Sequence, residues 1–370
     1  MRKVLEIFGE PILNGGQEAF VMNVLGEIDS REFRIDLLTP YICGNEYYRQ
    51  KVEEKGGNIY ELKLPFEPGK KRNNIVKPLA RFLAENKYDV VHIHSGSISV
   101  LAYAAKVARK SGIKKVIVHS HCAGDRNPKH LLVKILYSPL IIKYPTEYCA
   151  CSNVAGKSKF PVFIVKNKMK IMKNGIVLKN YKFDNSVREK LRKEYGISNK
   201  EFVIGHVGRF ARQKNHEYLI NIFEKVKNRI PKAKLVLIGN GELQEKIIMM
   251  VQQKNLTDSV LFIGNVNDVQ NYYQMMDVFV LPSLFEGLPI VGIEAQANGL
   301  PVLVSDRVSK ELGITDSVKY ISLENIEKWS DYICEYQKYT NRSDNYIALK
   351  MNGYDINETV KKIVKIYESN

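Results

Sequence analysis

The sequence lacks the cysteine patterns that mark disulfide frameworks and structural zinc sites. Its five cysteines among 370 residues form no C-x-x-C pair and show no metal-ligand spacing, so reduced thiols are expected. It also lacks any run approaching the roughly 20 uncharged apolar residues of a membrane-spanning helix. The N-terminus shows no signal-peptide pattern, because the run Arg2–Phe8 is short and is typical of a first strand. We therefore expect a cytoplasmic protein, or one held peripherally on a membrane.

Acidic residues are scarce in the first half of the chain. The net charge of +16 is uneven, because residues 1–180 hold 30 Lys and Arg against 16 Asp and Glu, whereas the remainder holds 26 against 24. Residues 126–182 alone contain twelve basic residues and a single acid, Glu147. Such asymmetry indicates an anionic partner, for which nucleic acid and an anionic membrane are the two candidates, or else a solvated basic face.

Strand-like and helix-like segments alternate along the chain, and the alternation restarts in the second half. This pattern predicts an α/β fold with two doubly wound, Rossmann-like domains, each a parallel sheet with helices on both faces. The last strand of the first domain is expected at 147–152. A basic stretch at 166–173, followed by the turn Asn174-Gly175, indicates the link. We therefore expect the first domain at residues 1–174 and the second at 175–354.

The stretch from Leu281 to Asp306 has the composition of a nucleotide-sugar site. An apolar strand runs into a loop with Glu286, and Pro289 suits the first position of a helix that carries Glu294. A helix start favours phosphate through its free N–H groups and dipole, and carboxylates beside it can accept hydrogen bonds from sugar hydroxyls. Either acid alone is more simply explained as a helix-end charge or as the partner of a buried lysine. The pair in this setting favours a binding site.

Two cations follow the first strand of the second half, in the sequence Gly208-Arg209-Phe210-Ala211-Arg212-Gln213-Lys214. Arginine offers a planar fork of donors and lysine a compact point charge. Arg209 and Lys214, five residues apart at a strand end, could clamp a diphosphate and neutralise a departing nucleoside diphosphate. Considered alone, this stretch is equally a loop with solvent-facing charges.

Several polar residues of the first half also lie at or near strand ends, where ligands bind in parallel sheets. Gly15-Gly16 separates the first strand from the first helix and lets backbone N–H groups approach a phosphate. His94-Ser95, His119 and His121 end two further strands. His119 and His121 point the same way and could bind zinc, but no third or fourth ligand is apparent nearby. His92 and His94 form a like pair, which we interpret as supporting or structural.

These motifs together resemble those of a known enzyme family. Glu286 and Glu294 with their Gly-Leu-Pro and Ala-rich flanks resemble the E-x7-E motif of retaining glycosyltransferases with the GT-B fold, the family-4 group in particular. Gly208 to Lys214 resembles that group's G-R-x4-K signature, and Gly15-Gly16 its first-domain glycine loop. Asn174-Gly175-Ile176 is similar to its N-G-I-D linker, although Val177 replaces the aspartate. The matches follow the family's order along nearly the whole chain.

The resemblance implies a GT-B architecture, in which two Rossmann-like domains face an interdomain cleft and a final helix at about 355–370 packs back on the first domain. Arg209 and Lys214 would bind the donor phosphates, and Glu294 the ribose hydroxyls. Glu286 would lie near the donor sugar, facing its hydroxyls or stabilising the transition state, and His121 would contact the sugar or its phosphate. The remaining donor-binding candidates are Gly16, Gly208, Gly264, Asn265, Val266, Gly287, Leu288, Pro289 and Ile290, with Gly15, His94, Ser95 and His119 as secondary candidates.

The implied activity is transfer, with retention, of a hexose or N-acetylhexosamine from a UDP-sugar. The acceptor would be a glycan or a lipid-diphosphate-linked glycan bound by the first domain, in capsule, exopolysaccharide or lipopolysaccharide synthesis. The basic amphipathic segment at 127–145 fits the inner face of an anionic plasma membrane, or else an ordinary core-facing helix. No D-x-D is present to hold a divalent ion, so we expect no metal and no cofactor besides the nucleotide-sugar co-substrate.

Three other classes compete with this interpretation. A sugar-nucleotide epimerase would share the GT-B scaffold without transferring a sugar to an acceptor. A non-catalytic nucleic-acid-binding protein would suit the charge, but no helix-turn-helix or RNP-type aromatic motif is present, so we expect no nucleic-acid partner. A nicotinamide-dependent dehydrogenase would need G-x-G-x-x-G, and Gly239-Asn240-Gly241 is followed by Gln244 where the third glycine belongs.

Overall fold

The computed structural model of the protein describes residues 1–67, 72–121, 128–338 and 341–369. The chain divides into two compact units, one formed by residues 1–176 with 356–370 and the other by residues 177–355. This division falls two residues beyond the boundary at 174 that the sequence indicates. In the described part of the chain, no helix combines the length and apolar character that spanning a bilayer requires.

Unit 1 is a seven-stranded parallel sheet with strand order 3-2-1-4-5-6-7. Its strands are β1 Arg2–Phe8, β2 Phe33–Thr39, β3 Ile59–Glu61, β4 Val90–Ser95, β5 Lys115–Ser120, β6 Glu147–Ala150 and β7 Met169–Ile171. Its helices along residues 1–176 are α1 Gly16–Glu27, α2 Glu46–Glu54, α3 Val76–Glu85, α4 Ile98–Lys110, α5 Pro128–Lys143, α6 Asn153–Lys159 and α7 Val162–Asn167. The central strands are buried on both faces because helices cover both.

Unit 2 is a six-stranded parallel sheet with strand order 10-9-8-11-12-13. Its strands are β8 Phe202–Val207, β9 Ala233–Ile238, β10 Val260–Gly264, β11 Val278–Leu281, β12 Val302–Ser305 and β13 Val318–Ile321. Its helices are α8 Asn185–Glu194, α9 His216–Arg229, α10 Gln244–Gln253, α11 Val269–Met275, α12 Ile290–Ala297, α13 Ile326–Tyr336 and α14 Tyr346–Met351.

Each sheet has one point where the strand order reverses, between β1 and β4 in unit 1 and between β8 and β11 in unit 2. At such a point neighbouring loops leave the carboxyl ends of the strands in opposite directions and open a crevice for a ligand. The glycine loop after β1 and His94-Ser95 at the end of β4 flank the first reversal. The loops that follow β8 and β11 flank the second.

Two details of unit 1 differ from the sequence-based prediction. The strand at 147–152 is not the last, because β7 pairs in parallel with β6 inside the basic stretch that the sequence presents as a link. A three-residue strand with a central lysine has no apolar run by which to predict it. The helices α6 and α7, which precede it, have only seven and six residues.

The C-terminal helix α15, Ile356–Glu368, belongs to unit 1. Its first backbone N–H donates to the carbonyl of Ile176 at 3.0 Å, and Thr359 Oγ1 donates to the carbonyl of Lys173 at 3.1 Å. Near its end, Tyr367 is buried and its hydroxyl donates to Glu6 Oε1 of β1 at 2.5 Å. The last turn of the chain therefore covers part of the polar interior of the first sheet.

Candidate active site

In unit 2, an ion pair between Lys214 and Glu286 joins the loops after β8 and β11. Lys214 Nζ lies 2.6 Å from Glu286 Oε1, and the two side chains are only 16% and 10% exposed. Asn215 Nδ2 ties the same loops together by donating to the carbonyl of Pro282 at 3.1 Å. An ammonium group has three N–H donors. Lys214 can therefore hold Glu286 and still donate to an anion at the reversal of the sheet.

Arg209 has different surroundings from Lys214, although the sequence groups the two as one clamp. Arg209 Nη2 lies 3.0 Å from Glu242 Oε2, and both side chains are exposed, at 66% and 55%. The next residue, Phe210, is fully buried and its N–H donates to the carbonyl of Asn240 at 3.0 Å, which anchors the loop. Because an exposed ion pair contributes only about 0–1 kcal/mol, Arg209 can leave Glu242 for a ligand at little cost.

Glu294, in α12, is held by two tyrosines that the sequence analysis missed. Its side chain is 6% exposed, Oε1 accepts from Tyr181 at 3.0 Å and Oε2 accepts from Tyr273 at 2.8 Å. Burial raises the pKa of Glu294, and the two hydroxyl donors oppose that rise. Each carboxylate oxygen has a second lone pair, so Glu294 can accept further hydrogen bonds from ligand hydroxyls. Neither tyrosine lies in a motif that sequence reasoning could have identified.

The loops after β9 and β10 pack against the loop after β8 through glycines. A Cβ on Gly239, whose φ is +126°, would lie 2.4 Å from the carbonyl oxygen of Gly208. The Gly239 N–H donates to the carbonyl of Gly264 at 2.8 Å, and Gly264 also has a positive φ of +79°. Of the residues predicted to meet the base, Asn265 is exposed and Val266 is half-buried. These candidates thus lie beside the cationic loop, as parallel neighbouring strands require.

The helix α12 begins one residue later than the sequence predicts. Pro289 occupies the N-cap position with ψ of 117°, and the first helical residue is Ile290. The carbonyl of Pro289 accepts from the N–H of Gly292 at 3.1 Å, which starts the helix without using a proline N–H. The N–H groups available at the helix start therefore belong to Ile290 and its successors. Gly287 and Leu288 are half-buried in the loop before it.

In unit 1, four histidines at β4 and β5 form a cluster on one face of the sheet. We call His92, His94, His119 and His121 the histidine cluster. Phe20 of α1 covers it, with ring centroids 4.9 Å from His119 and 5.4 Å from His121. Burial lowers the pKa of His94 to about 4 and the pKa values of His119 and His121 well below their usual range. Burial would raise the pKa of Glu6 beside them, but His92 and His94 outweigh it and keep that carboxyl ionised.

Two further potential metal ligands, His92 and His94, lie beside His119, so the sequence-based statement that no third ligand is near the His119–His121 pair was wrong. In the part of the chain that the structure describes, ring nitrogens of His92, His94 and His119 all lie within 4.8 Å of one another. β4 supplies two of these ligands and β5 supplies His119, so His121 is not part of this group, which sequence spacing could not show. However, both ring nitrogens of His92 and of His94 already take part in hydrogen bonds, so a cation would have to replace them. Metal-independent action remains a prediction.

The two glycines before α1 have different surroundings. A Cβ on Gly15 would lie 2.4 Å from Glu18 Oε2, whereas a Cβ on Gly16 would meet no atom within 4 Å. Glu18 is 4% exposed, its Oε1 accepts weakly from the N–H of Leu13 at 3.5 Å, and its Oε2 has no partner among the described residues. Burial raises the pKa of Glu18 to about 7. Gly15 therefore makes room for a buried acid, while Gly16 leaves open space beside the loop.

Ser95, at the end of β4, is engaged within the protein. Its hydroxyl donates to Glu10 Oε1 at 3.2 Å and accepts from the N–H of Ser97 at 2.9 Å. A Cβ on Gly9 would lie 2.2 Å from Ser95 Oγ, so the chain after β1 passes directly over this hydroxyl. Ser95 therefore positions the loop of Glu10.

Comparison with known proteins identifies the class. The sequence model described as "Glycosyl transferases group 1" matches residues 187–335, and the one described as "Glycosyltransferase Family 4" matches residues 14–179. An Escherichia coli protein named UDP-Gal:alpha-D-GlcNAc-diphosphoundecaprenol alpha-1,3-galactosyltransferase is 30% identical over 78% of this chain and 77% of its own length. The capsular polysaccharide biosynthesis glycosyltransferase CapH of Staphylococcus aureus is 25% identical over 100% of this chain and 99% of its own.

A solved structure with the same fold is that of Anabaena HepE in complex with UDP and glucose. It covers 100% of both chains with a TM-score of 0.78 and 16% sequence identity. The fold is GT-B, as predicted from the sequence. The chain belongs to the family-4 type glycosyltransferases, and the predicted class of enzyme is confirmed.

Proposed function

We propose that this glycosyltransferase moves a hexose or N-acetylhexosamine from a UDP-sugar, with retention, to a glycan or lipid-diphosphate-linked acceptor in cell-surface polysaccharide synthesis. The main support is the Lys214–Glu286 pair at the reversal of the unit 2 sheet, 2.6 Å across and largely buried. The name of the E. coli relative, the capsular relative and the UDP complex of HepE support the donor and the pathway class.

The residues of unit 2 suggest a division of labour. Lys214 would donate its remaining N–H groups to the diphosphate, with Arg209 joining from the exposed side of the loop. Glu286, held by Lys214, would face the sugar, and Glu294 would accept from the ribose hydroxyls. The bond from the anomeric carbon to the diphosphate oxygen would break as the acceptor oxygen bonds on the same face. The acceptor proton would pass to the departing diphosphate, whose charge Lys214 offsets.

Nucleotide binding is tested by thermal unfolding in the presence of UDP, GDP and their sugars. Saturation at about 100 times Kd stabilises a protein by about 2.7 kcal/mol, so UDP should raise Tm by several degrees. We expect Glu294→Gln to lose most of this shift and Glu324→Gln, an exposed acid of the same unit, to retain it.

Three outcomes would change the proposal. If no nucleoside diphosphate moves Tm, the site assignment fails, and if only GDP does, the base is wrong. Loss of the shift on adding EDTA would show that a metal is required. Interconversion of UDP-sugars without release of UDP would identify the epimerase alternative.

We also propose that one surface of unit 1 meets an anionic membrane. The helices α5 and α7 both expose large apolar side chains, and exposed lysines lie in or beside α5, α6 and α7. The apolar side chains are Leu131, Leu132, Ile135, Leu136, Val162 and Phe163, and the exposed lysines are Lys143, Lys157, Lys166 and Lys168. Lys134 Nζ of α5 donates to the carbonyl of Lys157 in α6 at 2.6 Å, which places α5 beside α6. Exposed apolar side chains together with exposed lysines suit the interface of an anionic leaflet.

Cosedimentation with lipid vesicles tests this surface. Binding is expected with phosphatidylglycerol present, not with phosphatidylcholine alone, and should weaken as salt screens the lysines. The double variant Leu132→Ser/Leu136→Ser should bind the anionic vesicles at least about tenfold more weakly than wild type. Met351→Ser, which alters an exposed side chain of unit 2, should bind normally. Vesicle binding that is unchanged by salt and by the two leucine substitutions would contradict the proposal.

A further inference from the structure

Two hydrogen-bonded chains start at the buried carboxylate of Glu6 and run through the histidine cluster. In the first, Glu6 Oε2 lies 2.5 Å from His94 Nε2, and His94 Nδ1 lies 2.8 Å from His121 Nε2. In the second, Glu6 Oε1 accepts from Tyr367, whose oxygen lies 2.9 Å from His92 Nδ1. His92 Nε2 is then 3.3 Å from His119 Nδ1. The first chain ends at His121, whose Nδ1 is buried, and the second ends at His119, whose Nε2 is buried.

The first chain determines which nitrogen of His121 carries the proton. An ionised carboxylate only accepts hydrogen bonds, so His94 must donate to Glu6 from Nε2. A neutral imidazole has one N–H, which leaves His94 Nδ1 as an acceptor. His121 must then donate from Nε2, and its Nδ1 keeps a bare lone pair. That nitrogen is buried and has no partner among the described residues.

The second chain leads to the opposite tautomer by the same reasoning. Tyr367 gives its single hydroxyl proton to Glu6, so its oxygen accepts from His92 Nδ1. His92 Nε2 therefore accepts from His119 Nδ1, and His119 Nε2 is left without a proton. This nitrogen is also buried and unpartnered among the described residues. The cluster thus contains two histidines protonated on Nε2, His94 and His121, and two protonated on Nδ1, His92 and His119.

We propose that Glu6 and His94 are positioning residues that hold His121 with its Nδ1 as a hydrogen-bond acceptor for a sugar hydroxyl. This rests on the proposed function, because it assigns the group that His121 meets in the donor sugar. A phosphate oxygen also only accepts, so it would face this lone pair unfavourably, whereas a hydroxyl can donate to it. His121 follows β5 at the carboxyl edge of the sheet, where ligands of this architecture bind. A hydroxyl there would satisfy a buried acceptor that is otherwise costly.

The tautomers are measured directly by long-range ¹H–¹⁵N NMR of the histidine rings in the full chain. Signals are assigned by single His→Gln variants. The expected result is Nε2–H for His94 and His121, and Nδ1–H for His92 and His119, near neutral pH. An Nδ1–H or doubly protonated His121 would overturn the proposal. This readout does not depend on activity, so it stands even if the nucleotide-binding experiment fails.

Glu6→Gln tests whether the carboxylate sets the pattern. Whichever way the introduced amide faces, its NH₂ group donates to either His94 or Tyr367. His94 Nε2 would have to accept, which reverses the first chain, whereas Tyr367 would lose the acceptor for its own proton and is expected to donate it to His92 Nδ1, which reverses the second. We therefore expect at least one chain to switch tautomer. Tyr367→Phe is the matched control, because it removes the hydroxyl of the second chain and should leave His94 and His121 unchanged. Unchanged tautomers in folded Glu6→Gln would remove Glu6 from the proposal.

The ligand is tested by comparing UDP with UDP-glucose, UDP-galactose and UDP-N-acetylglucosamine. His121→Ala should weaken binding of the sugar nucleotide that binds wild type best by about threefold to tenfold, as loss of one hydrogen bond predicts. Affinity for UDP should stay within about twofold. Equal losses for UDP and the sugar nucleotide would indicate a phosphate contact, and no loss in either would show no contact. Both results would overturn the hydroxyl assignment.

Discussion

Replacing Lys214 by methionine is expected to lower kcat by about 10²- to 10³-fold, the usual effect of removing one preorganised electrostatic group from an active site. Methionine keeps the length of the apolar stem, which passes over Gly208, where a Cβ would lie 3.1 Å from Lys214 Cδ. The substitution removes the cation that would face the diphosphate. It also removes the ion-pair partner of Glu286, because Lys214 Nζ lies 2.6 Å from Glu286 Oε1 in the wild-type protein. Donor affinity should fall as well, because the lysine binds the ground state too.

Two variants separate these effects. Arg212→Met, an exposed cation of the same turn, should change kcat little. The double variant Lys214→Met/Glu286→Gln should regain stability lost through the unpaired carboxylate without regaining turnover. A Lys214→Met enzyme with nearly normal kcat for sugar transfer, measured by release of UDP, would contradict the role of this residue.

Replacing Glu18 by glutamine is expected to stabilise the protein near pH 8 by about 3 kcal/mol and to change little near pH 4. Burial raises the pKa of this carboxyl from 4.5 to about 7, and a rise of about 2.5 corresponds to about 3 kcal/mol. The folded state therefore binds the proton more tightly than the unfolded state. The contribution of protonated Glu18 to the free energy of unfolding is therefore complete below about pH 4.5 and is lost as pH rises through about 7. Glutamine has no proton to lose, so the Glu18→Gln variant does not show this loss.

Urea unfolding followed by far-UV circular dichroism at several pH values measures this difference. The single tryptophan, Trp329, lies in unit 2, so its fluorescence monitors the unit that Glu18 does not belong to. Glu27→Gln removes an exposed carboxylate from the same helix and should show no such pH dependence. If the difference in the free energy of unfolding between Glu18→Gln and wild type is constant from about pH 4 to 8, the Glu18 carboxyl titrates normally and the prediction is wrong.

Much of the candidate site of unit 2 could be predicted because its residues lie within two short stretches of sequence. Gly208 to Lys214 follows one strand and Glu286 to Glu294 spans the loop and helix after another. Apolar runs locate the strands, and parallel strands place their carboxyl ends on one edge. That Lys214 pairs with Glu286 while Arg209 stays exposed depends on side-chain packing in a loop, which no periodicity encodes.

The amino-acid order alone determined the alternation of elements, the presence of two units and the polar residues at strand ends, because these depend on contacts within a few residues. The tertiary structure decided which distant groups meet. Tyr367 reaches Glu6 across 361 positions, Glu6 reaches His94 across 88, and Tyr181 reaches Glu294 across 113. Buried polar atoms must find partners wherever the fold brings them, so the protonation pattern of the histidine cluster follows from strand order and from the docking of α15.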